Sequence, residues 1–372
     1  MKILHITKKY IYALGGDAVV VSNLEKQQLA QGHEVIVLSS NCAEIIDDER
    51  HHKFGLRTTS AALDDISPRR VFSLGVLFFK TFRVMREVRP DVVHTHSIDM
   101  AFVASFAARL LRVPVVHTFH VLAFPDPQVD ALRRKSELFF AKGTRPRLVT
   151  APNEADVSHL KRAGMTDARF LTNGIDLEFW KQDKEPHDVF TFITVARLER
   201  QKGIEYLIRA AAELKDAGLA FKLVIVGDGS LLEKLKALAA ELRVDEIIVF
   251  AGRRAPEEVR DLYAVSDAVV IPSLWETGPL TAFEAWAMEL PLVITKVGMF
   301  AGERGDSAHS KIIESGDPAA LGAAMKELLT DTEMRAEMIA AGRETVQKYD
   351  WAEIANIAIG LYAEALSPSM SI

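Results

Sequence analysis

The chain has 372 residues but a single cysteine, Cys42, and no long hydrophobic run. One cysteine cannot form an intramolecular disulfide, so we expect a reducing compartment such as the cytoplasm. The segment Met1–Thr7 lacks the longer apolar core and the small-residue cleavage site of a signal peptide. No uncharged apolar stretch is long enough to span a bilayer. These absences favour a cytoplasmic globular protein, and the length favours two domains.

The sequence also lacks the motifs of several nucleotide and metal enzymes. No Gly-x-Gly-x-x-Gly follows the first strand, which disfavours a dinucleotide-dependent dehydrogenase, and there is no Walker sequence. No Asp-x-Asp occurs, and no group of histidines or cysteines has the spacing of a metal site. A nucleotide-dependent enzyme of this kind would bind phosphates with cationic side chains, helix N-termini and backbone amides. We therefore expect no metal and no cofactor.

Short runs of Val, Ile and Leu alternate with helical patterns along most of the chain. Apolar strands that alternate with helices predict an α/β fold, a parallel sheet covered on both faces. The pattern restarts near residue 190, after the turn-rich and charged segment 172–188. We predict two doubly wound, Rossmann-like domains, 1–168 and 169–350, which face a central cleft that would hold the ligand.

Two carboxylates, Glu276 and Glu284, follow the buried strand predicted at 268–271. Pro279 is predicted at the first position of the next helix, so Glu276 falls in the strand-to-helix loop and Glu284 in the helix. In an open α/β sheet this loop lies at the carboxyl edge, where ligands bind. The spacing of the two carboxylates suits an elongated ligand, with one carboxylate near a sugar and the other near a ribose.

Cations and glycines occupy similar loops elsewhere in the sequence. Arg197 and Lys202 flank the loop after the first strand of the second domain, where an Arg fork and a Lys charge could hold a diphosphate. Gly203 is expected to relieve crowding at the start of the next helix. Gly15 and Gly16 follow the first strand of the chain and could bring backbone amides close to a ligand. The pair in Gly227-Asp228-Gly229 is interpreted as mostly structural.

Four histidines end two neighbouring strands, His94 and His96 on one strand and His117 and His120 on the next. Alternation puts His94 and His96 on one face of the sheet. We interpret His94, His96 and His117 as structural residues. His120 lies just past a strand end, so we expect it to be functional.

Taken together, these segments resemble the retaining GT-B glycosyltransferases of family 4 over nearly the full length. The resemblance is carried by Gly15-Gly16, Gln31–Val35, Asp91–His96, His117–His120, Thr172–Asp176, Val195–Leu198 with Lys202-Gly203, Val224–Gly229, and Pro272-Ser273 followed by Glu276 and Glu284. It implies the transfer of a hexose from a nucleotide-sugar donor to a hydroxyl acceptor, with retention of configuration and without a metal. It also implies that the last helix, from about Trp351, returns to the first domain.

The family resemblance implies a role for each matching residue. Arg197 and Lys202 would hold the donor diphosphate, Glu276 and His120 would approach the transferred sugar, and Glu284 would bind the ribose. The implied donor-binding set is Gly15, Gly16, Asn173, Gly227, Ser273, Thr277, Gly278, Pro279, Leu280 and Glu284.

The sequence departs from the family pattern at several positions. Glu289 and Met299 stand where glycine is usual, and Pro152 follows Ala151 where serine is frequent. Glu303 is only a candidate for the family's glutamate near this point. Two alternatives stay open. One is a nucleotide-sugar epimerase, which shares the architecture; the other is a sugar-nucleotide-binding subunit without turnover, for which the departures around Met299 are the motive.

The acceptor is expected to bind the first domain, whose loops are least like the family. Residues 42–67 are interpreted as a long irregular loop. Residues 69–89 combine arginines with phenylalanines, so this helix could contact anionic lipid at the inner membrane face and receive a lipid-linked acceptor. Alternatively it is a helix packed on the sheet with a charged outer face. The first half of the chain is mildly basic and the second acidic, which suits an anionic partner or reflects ordinary surface variation. No nucleic-acid partner is expected.

Overall fold

The computed structural model describes residues 1–8, 16–39, 49–53, 68–122, 131–302 and 307–367. The chain divides into two compact units. The first comprises Met1–Asn173 and Trp351–Ile372, and the second comprises Gly174–Asp350. Gly15, Glu303 and most of residues 42–67, all considered above, lie outside the described residues.

The first unit is built on a seven-stranded parallel sheet in the order β3-β2-β1-β4-β5-β6-β7. The strands are β1 (Lys2–Thr7), β2 (Glu34–Ser39), β3 (His51–Lys53), β4 (Val92–Thr95), β5 (Val115–Thr118), β6 (Leu148–Ala151) and β7 (Ala168–Phe170). The helices are α1 (Gly16–Ala30), α2 (Pro68–Val88), α3 (Ile98–Leu111), α4 (Ala131–Thr144), α5 (Glu154–Arg162) and, from the end of the chain, α12 (Trp351–Leu366).

The second unit is built on a six-stranded parallel sheet in the order β10-β9-β8-β11-β12-β13. Its strands are β8 (Thr191–Val195), β9 (Lys222–Val226), β10 (Ile248–Gly252), β11 (Ala268–Ile271), β12 (Leu292–Thr295) and β13 (Ser310–Ile313). Its α-helices are α6 (Ile204–Asp216), α7 (Leu232–Glu241), α8 (Pro256–Ala264), α9 (Leu280–Ala287), α10 (Pro318–Thr330) and α11 (Thr332–Val346).

Both sheets are covered on both faces, which is why their strands are nearly all apolar. In the first unit one face packs against α1 and α12, with Leu24 and Tyr362 in the cluster, and the other packs against α2 and α3, with Leu77 and Met100. The second unit has a corresponding pair of apolar clusters, one of which centres on the buried Trp286. The prediction of two Rossmann-like, doubly wound α/β units is therefore confirmed.

Several details differ from the sequence-based expectation. The unit boundary lies after Asn173 rather than after residue 168, because β7 pairs with β6 and so belongs to the first sheet. Residues 42–67 are not wholly irregular, since β3 pairs with β2 inside that segment. Strands β3, β7 and β13 and helix α4 were not predicted; β3 and β7 have only three residues each, too few for a periodic pattern.

Helix α9 begins one residue later than predicted. Pro279 is its N-cap, with extended backbone (φ −70°, ψ 115°), and the first helical residue is Leu280. Among the described helices, none combines the length and the apolar character needed to cross a membrane.

Candidate active site

Each sheet has one point where the strand order reverses, between β1 and β4 in the first unit and between β8 and β11 in the second. Ligands of open α/β sheets bind outside the carboxyl ends of the strands at such a point. In the second unit the loops there are 196–203, after β8, and 272–279, after β11. These two loops contain Arg197, Lys202 and Glu276, so the structure brings together residues that the sequence placed far apart.

The loop after β8 is held by backbone hydrogen bonds to the loop after β9. The amide of Ala196 donates to the Val226 carbonyl at 3.0 Å, and the amide of Leu198 donates to the Asp228 carbonyl at 2.9 Å. The Leu198 side chain is fully buried, whereas the Arg197 side chain is exposed. Anchoring Leu198 in the core therefore presents Arg197 to solvent at the carboxyl edge.

Gly227 has a packing role in this arrangement. Its φ is +139°, a conformation open only to glycine, and a Cβ there would overlap the Ala196 carbonyl oxygen. A Cβ on Gly229 would lie 2.5 Å from the Leu198 carbonyl oxygen. Both glycines thus let the loop after β9 approach the Arg197 loop, which supports the structural interpretation made from the sequence; a donor contact by Gly227 stays a prediction.

The loops after β8 and β11 are also joined to each other. The Gln201 carbonyl accepts a hydrogen bond from the Leu274 amide at 2.8 Å. Gly203, in left-handed conformation at φ +63°, lies so close to β11 that a Cβ would overlap the Pro272 carbonyl oxygen. The expected relief of crowding at Gly203 is therefore present, and its physical cause is the approach of the two loops.

Lys202 and Glu276 form an ion pair across these loops. Both side chains are mostly buried, at 17% and 12% exposure, and the Ser273 hydroxyl also donates to Glu276 Oε1 at 3.1 Å. The Ser273 carbonyl in turn accepts from the Thr295 hydroxyl at 2.5 Å. Lys202, Ser273 and Glu276 therefore act as one unit, in which the charge of Lys202 is already balanced.

Thr277, Gly278, Pro279 and Leu280 lead from this pair into α9. Gly298 lies against the same segment, since a Cβ on it would be 2.6 Å from the carbonyl oxygens of Glu276 and Thr277. The start of α9 carries the positive end of the helix dipole, which favours an anion beside the Lys202–Glu276 pair.

Glu284 lies in α9 and is half-buried. Burial raises the pKa of its carboxyl from 4.5 to about 7, although the hydrogen bond from the Tyr263 hydroxyl to Oε2, at 3.0 Å, opposes that shift. Tyr263, in α8, is fully buried. Ligand hydroxyls that donate to Glu284 would favour its charged form and lower its pKa again.

Glu289 and Met299, the two departures from the family pattern, both have a structural explanation. Glu289 adopts a positive φ of 53°, a conformation that glycine adopts without strain, which accounts for the glycine usual at this position. Met299 packs against the apolar cluster around Trp286. Asn173, a predicted donor contact, is half-buried and is the last residue of the first unit before Trp351.

In the first unit, the histidines follow from the strand register. His5 in β1 lies beside His94 in β4, and the rings of His94 and His96 are 4.1 Å apart, so both point to one face as predicted. His120 follows β5, is half-buried, and its Nε2 lies 3.1 Å from His96 Nδ1. His117 points to the other face and bonds to Thr95.

Burial keeps four of these histidines neutral, namely His5, His94, His96 and His117. Desolvation lowers the pKa of His5 to about 4 and that of His117 to about 3, and it holds the pKa values of His94 and His96 well below the ordinary range. The ring nitrogens of His5, His94 and His96 include a set within 4.8 Å of one another, which could hold a metal ion. Every ring nitrogen of these three residues already has a side-chain partner, however, so the group forms a hydrogen-bond network.

The sequence analysis missed His5, Gln28, Tyr263 and Tyr362. The Gln28 amide contacts both His5 and the Tyr362 hydroxyl. The available signal was a polar residue, His5, inside the otherwise apolar strand Ile3–Ile6. Its partners come from segments far apart in the chain, which no local pattern joins. Gly16, the remaining predicted donor contact, is the first residue of α1.

The fold and the switch-point loops define a protein of the GT-B class, and comparison with known proteins agrees. The model of the glycosyl transferases group 1 matches residues 176–345, and that of glycosyltransferase family 4 matches residues 14–179. The D-inositol 3-phosphate glycosyltransferase of Acidothermus cellulolyticus is 28% identical over 74% of this chain and 68% of its own length.

Two further similarities are informative. The UDP-Gal:alpha-D-GlcNAc-diphosphoundecaprenol alpha-1,3-galactosyltransferase of Escherichia coli is 31% identical over 58% of this chain and 60% of its own length. The crystal structure of Anabaena Alr3699/HepE in complex with UDP has a TM-score of 0.78 at 18% identity, covering 98% of this chain and all of the other. The chain belongs to the group 1 glycosyltransferases of GT-B fold.

Replacing Gly227 by alanine should destabilise the second unit far more than the same change at Gly218. Both glycines have positive φ, but a Cβ at Gly218 meets nothing within 4 Å, whereas at Gly227 it overlaps the Ala196 carbonyl. We expect a loss of about 1 kcal/mol in the free energy of unfolding for Gly218→Ala and about 3 kcal/mol or more for Gly227→Ala, measured by urea denaturation. Equal losses would contradict the packing role assigned to Gly227.

The raised pKa of the Glu284 carboxyl should make stability depend on pH. Because its pKa is raised from 4.5 to about 7 in the fold, its favourable contribution is fully present below pH 4.5 and is lost as the pH rises through 7. Relative to Glu284→Gln, the wild type should therefore lose about 3 kcal/mol between pH 4 and pH 8.

Urea denaturation of both proteins across this range measures the difference. Tyr263→Phe removes the donor that favours the charged form, so it should move the loss to higher pH. A difference between wild type and Glu284→Gln that is constant with pH would contradict the shifted pKa.

Proposed function

We propose that this protein is a metal-independent, retaining hexosyltransferase that moves a hexose from a nucleotide sugar to a hydroxyl acceptor. The observation that carries the proposal is the junction of the loops after β8 and β11 in the second unit. There an exposed arginine, a lysine–glutamate pair and the start of α9 meet at the switch point of a parallel sheet. This arrangement suits a diphosphate next to a group with hydroxyls.

The charges at this junction favour an anion. Arg197 is exposed, and no hydrogen bond or ion pair to another described residue occupies its guanidinium, so it can bind a diphosphate as a fork. Lys202 would swing from Glu276 toward the more negative diphosphate, and Glu276 would then accept hydrogen bonds from sugar hydroxyls. The first amides of α9 add dipolar stabilisation without a metal.

The chemistry follows from these contacts. The bond between the anomeric carbon and the diphosphate oxygen breaks, and the positive groups stabilise the charge that develops on the diphosphate. The acceptor hydroxyl attacks on the face that the diphosphate leaves and passes its proton to a diphosphate oxygen. The new bond therefore has the configuration of the old one, and no protein base is needed.

The remaining residues complete the donor site in this proposal. Glu284 binds the ribose hydroxyls, and the role of His120 stays a prediction from the sequence. The similarity to one enzyme whose name specifies a UDP sugar, and to a protein solved with UDP, supports a nucleotide-sugar donor.

The two alternatives predict different reactions of the same donor. An epimerase would convert or hydrolyse the donor with no acceptor present. A binding subunit would retain the donor without turnover. That alternative rests on Met299, which stands where the family usually has glycine. Since Met299 packs against the core, its presence does not by itself disturb the Lys202–Glu276 junction.

Transfer by the wild type and by site variants tests the proposal. We expect Arg197→Ala and Lys202→Ala each to weaken binding of the nucleotide sugar by about tenfold or more, since each loses a charge-assisted contact. Arg209→Ala removes an exposed arginine on the outer face of α6 and serves as the control. Calorimetry with a panel of UDP-, GDP- and ADP-sugars measures the affinities.

Activity then separates the alternatives. Wild type should transfer sugar with the anomeric configuration retained, as read by NMR of the product, and in the presence of EDTA; Glu284→Ala should lose most of that rate. Conversion of the donor without acceptor would support the epimerase, and binding without turnover would support the binding subunit. Unchanged affinity in both Arg197→Ala and Lys202→Ala would exclude the proposed diphosphate site.

We further propose that α2 contacts anionic lipid and thereby meets a lipid-linked acceptor. The helix packs on the sheet through Leu77 and Met85, as one reading of the sequence predicted. Its outer face, however, exposes 71% of Phe79, with Arg83 and Arg86 one and two turns further along. An exposed aromatic ring beside arginines is typical of a helix at a membrane surface.

Co-sedimentation with vesicles tests this contact. Phe79→Ser and Arg83→Ser should each weaken binding to phosphatidylglycerol vesicles by about fivefold or more, whereas Val249→Ser, a half-exposed residue of the second unit, should not. Equal binding by all of these proteins, or none by the wild type, would contradict the membrane contact.

A further inference from the structure

The first unit has a cavity at the amino ends of strands β5 and β6. Its volume is about 570 Å³, within the range of pockets that hold small ligands. The cavity lies between the end of α3 and the connection from α4 to β6. Because β5 and β6 pair in parallel, the segments that lead into them, 113–114 and 145–147, are neighbours. This edge of the sheet is opposite to the carboxyl edge, where ligands of open α/β sheets usually bind.

One wall of the cavity is apolar and is formed where α4 packs on α3. A Cβ on Gly143, near the end of α4, would lie 3.6 Å from the ring of Phe102 in α3. The Phe102 ring packs edge-on against the ring of Phe106, with 5.0 Å between their centroids. Phe106 lines the cavity together with Val113 and Pro114. This wall can hold the carbon part of a ligand.

The rest of the lining is cationic. Three arginines and one carboxylate give the lining a net charge of +2; they are Arg109, Arg145, Arg147 and Asp167. Arg147 Nη2 donates to the Ser367 carbonyl at 3.0 Å. Arg109 and Arg145 are exposed, and within the described part of the chain no hydrogen bond or ion pair occupies either guanidinium. Their N–H groups can therefore bind a phosphate as forks.

The helix dipoles alone do not explain this group of arginines. Arg109 lies in the last turn of α3, and Arg145 directly follows α4. A cation near the C-terminus of a helix interacts favourably with the helix dipole. That interaction accounts for one cation at each helix end, but it does not require that both line one cavity together with Arg147.

Two further polar groups in the lining indicate what else the ligand carries. Asp167 is exposed and directly precedes β7, and its carboxylate can accept hydrogen bonds from hydroxyl groups. Ser105 Oγ is buried and has no hydrogen-bond partner among the residues that the structure describes. A buried hydroxyl of this kind is normally satisfied by water or by a ligand. The lining therefore suits a ligand that has hydroxyl groups as well as an anionic group.

We propose that this cavity binds the phosphate ester of a polyol, with the phosphate held by Arg109 and Arg145 and a hydroxyl of the polyol held by Asp167. Two sources share this chemistry, the headgroup of an anionic phospholipid and a soluble polyol phosphate. The site belongs to the first unit alone. It does not depend on the donor site proposed for the second unit, so either proposal can fail without the other.

Calorimetry with two probes tests the site and distinguishes the sources. Glycerol phosphate is the soluble probe, and dihexanoylphosphatidylglycerol, used as a monomer, is the lipid probe. We expect wild type to bind at least one of them. Arg145→Gly and Arg109→Ala should each weaken that binding by about tenfold or more, because each removes a charge-assisted contact.

Both variants should remain folded. Arg145 has a positive φ of 41°, a conformation that glycine adopts without strain, so Arg145→Gly should unfold at the same urea concentration as wild type or at a higher one. Arg109 is exposed on α3, where alanine is a good helix former. A loss of affinity in these variants then reports the missing guanidinium rather than a damaged fold.

Arg112→Gly is the matched control. Arg112 follows α3 in the same left-handed conformation, at φ 57°, and is exposed, but it does not line the cavity. Its affinity for the probes should stay within about twofold of wild type, since an exposed charge away from the ligand is largely screened. Arg197→Ala, in the second unit, should also leave the affinity unchanged.

Each outcome decides the proposal. Binding of glycerol phosphate that is weakened by Arg145→Gly supports a soluble ester as the source, and the same result with the lipid probe alone supports a phospholipid headgroup. Binding of neither probe, or equal affinities in wild type, Arg145→Gly and Arg109→Ala, would overturn the site. An equal loss in Arg112→Gly would show only a general attraction of anions, and a loss confined to Arg197→Ala would place the probe in the second unit; both results would also overturn it.

Discussion

The proposed function depends on the close approach of two loops in the second unit. Gly203 lies against the Pro272 carbonyl, and the Gln201 carbonyl accepts from the Leu274 amide at 2.8 Å. Any side chain at position 203 would separate the loops, so a residue without a side chain decides whether Lys202 can reach Glu276. The positions of Lys202 and Glu276 therefore depend on how closely the two loop backbones pack, and Gly203 permits that approach.

The proposed diphosphate site would be prepared without an accumulation of positive charge. An unpaired lysine in the same loop as Arg197 would repel it and would cost stability in the absence of ligand. Pairing Lys202 with Glu276 removes that cost, and a diphosphate with two negative charges can compete for the lysine because one carboxylate offers only one. Glu284 differs from Lys202, whose charge is balanced by a partner. Burial leaves the Glu284 carboxyl partly protonated near neutral pH, and hydroxyl donors would restore its charge.

How much could be predicted from the sequence varies with the length of the pattern. Strands such as β1, β2 and β9 lie at the short runs of Val, Ile and Leu from which the sequence predicts strands. The three-residue strands β3 and β7 could not be predicted, since they exist only through pairing with a neighbour. In the candidate site, loops at strand ends identified Arg197, Lys202 and Glu276, but not that two of them pair across 74 positions of sequence. Tyr263 was missed for the same reason, because its link to Glu284 joins two different helices.

The histidines show a dependence that neither sequence nor position reveals alone. His5, His94 and His96 are neutral because they are buried, and a neutral ring can donate from only one nitrogen. Burial therefore does more than stabilise the core: it removes the imidazolium form, which could donate from both nitrogens and would interrupt their hydrogen-bond network. Parallel register supplies the other condition, since His5 lies beside His94 only because β1 and β4 pair as they do. A shift of that register by one residue would turn His5 to the opposite face of the sheet, and its hydrogen bonds to Gln28 in α1 and to His96 would be lost.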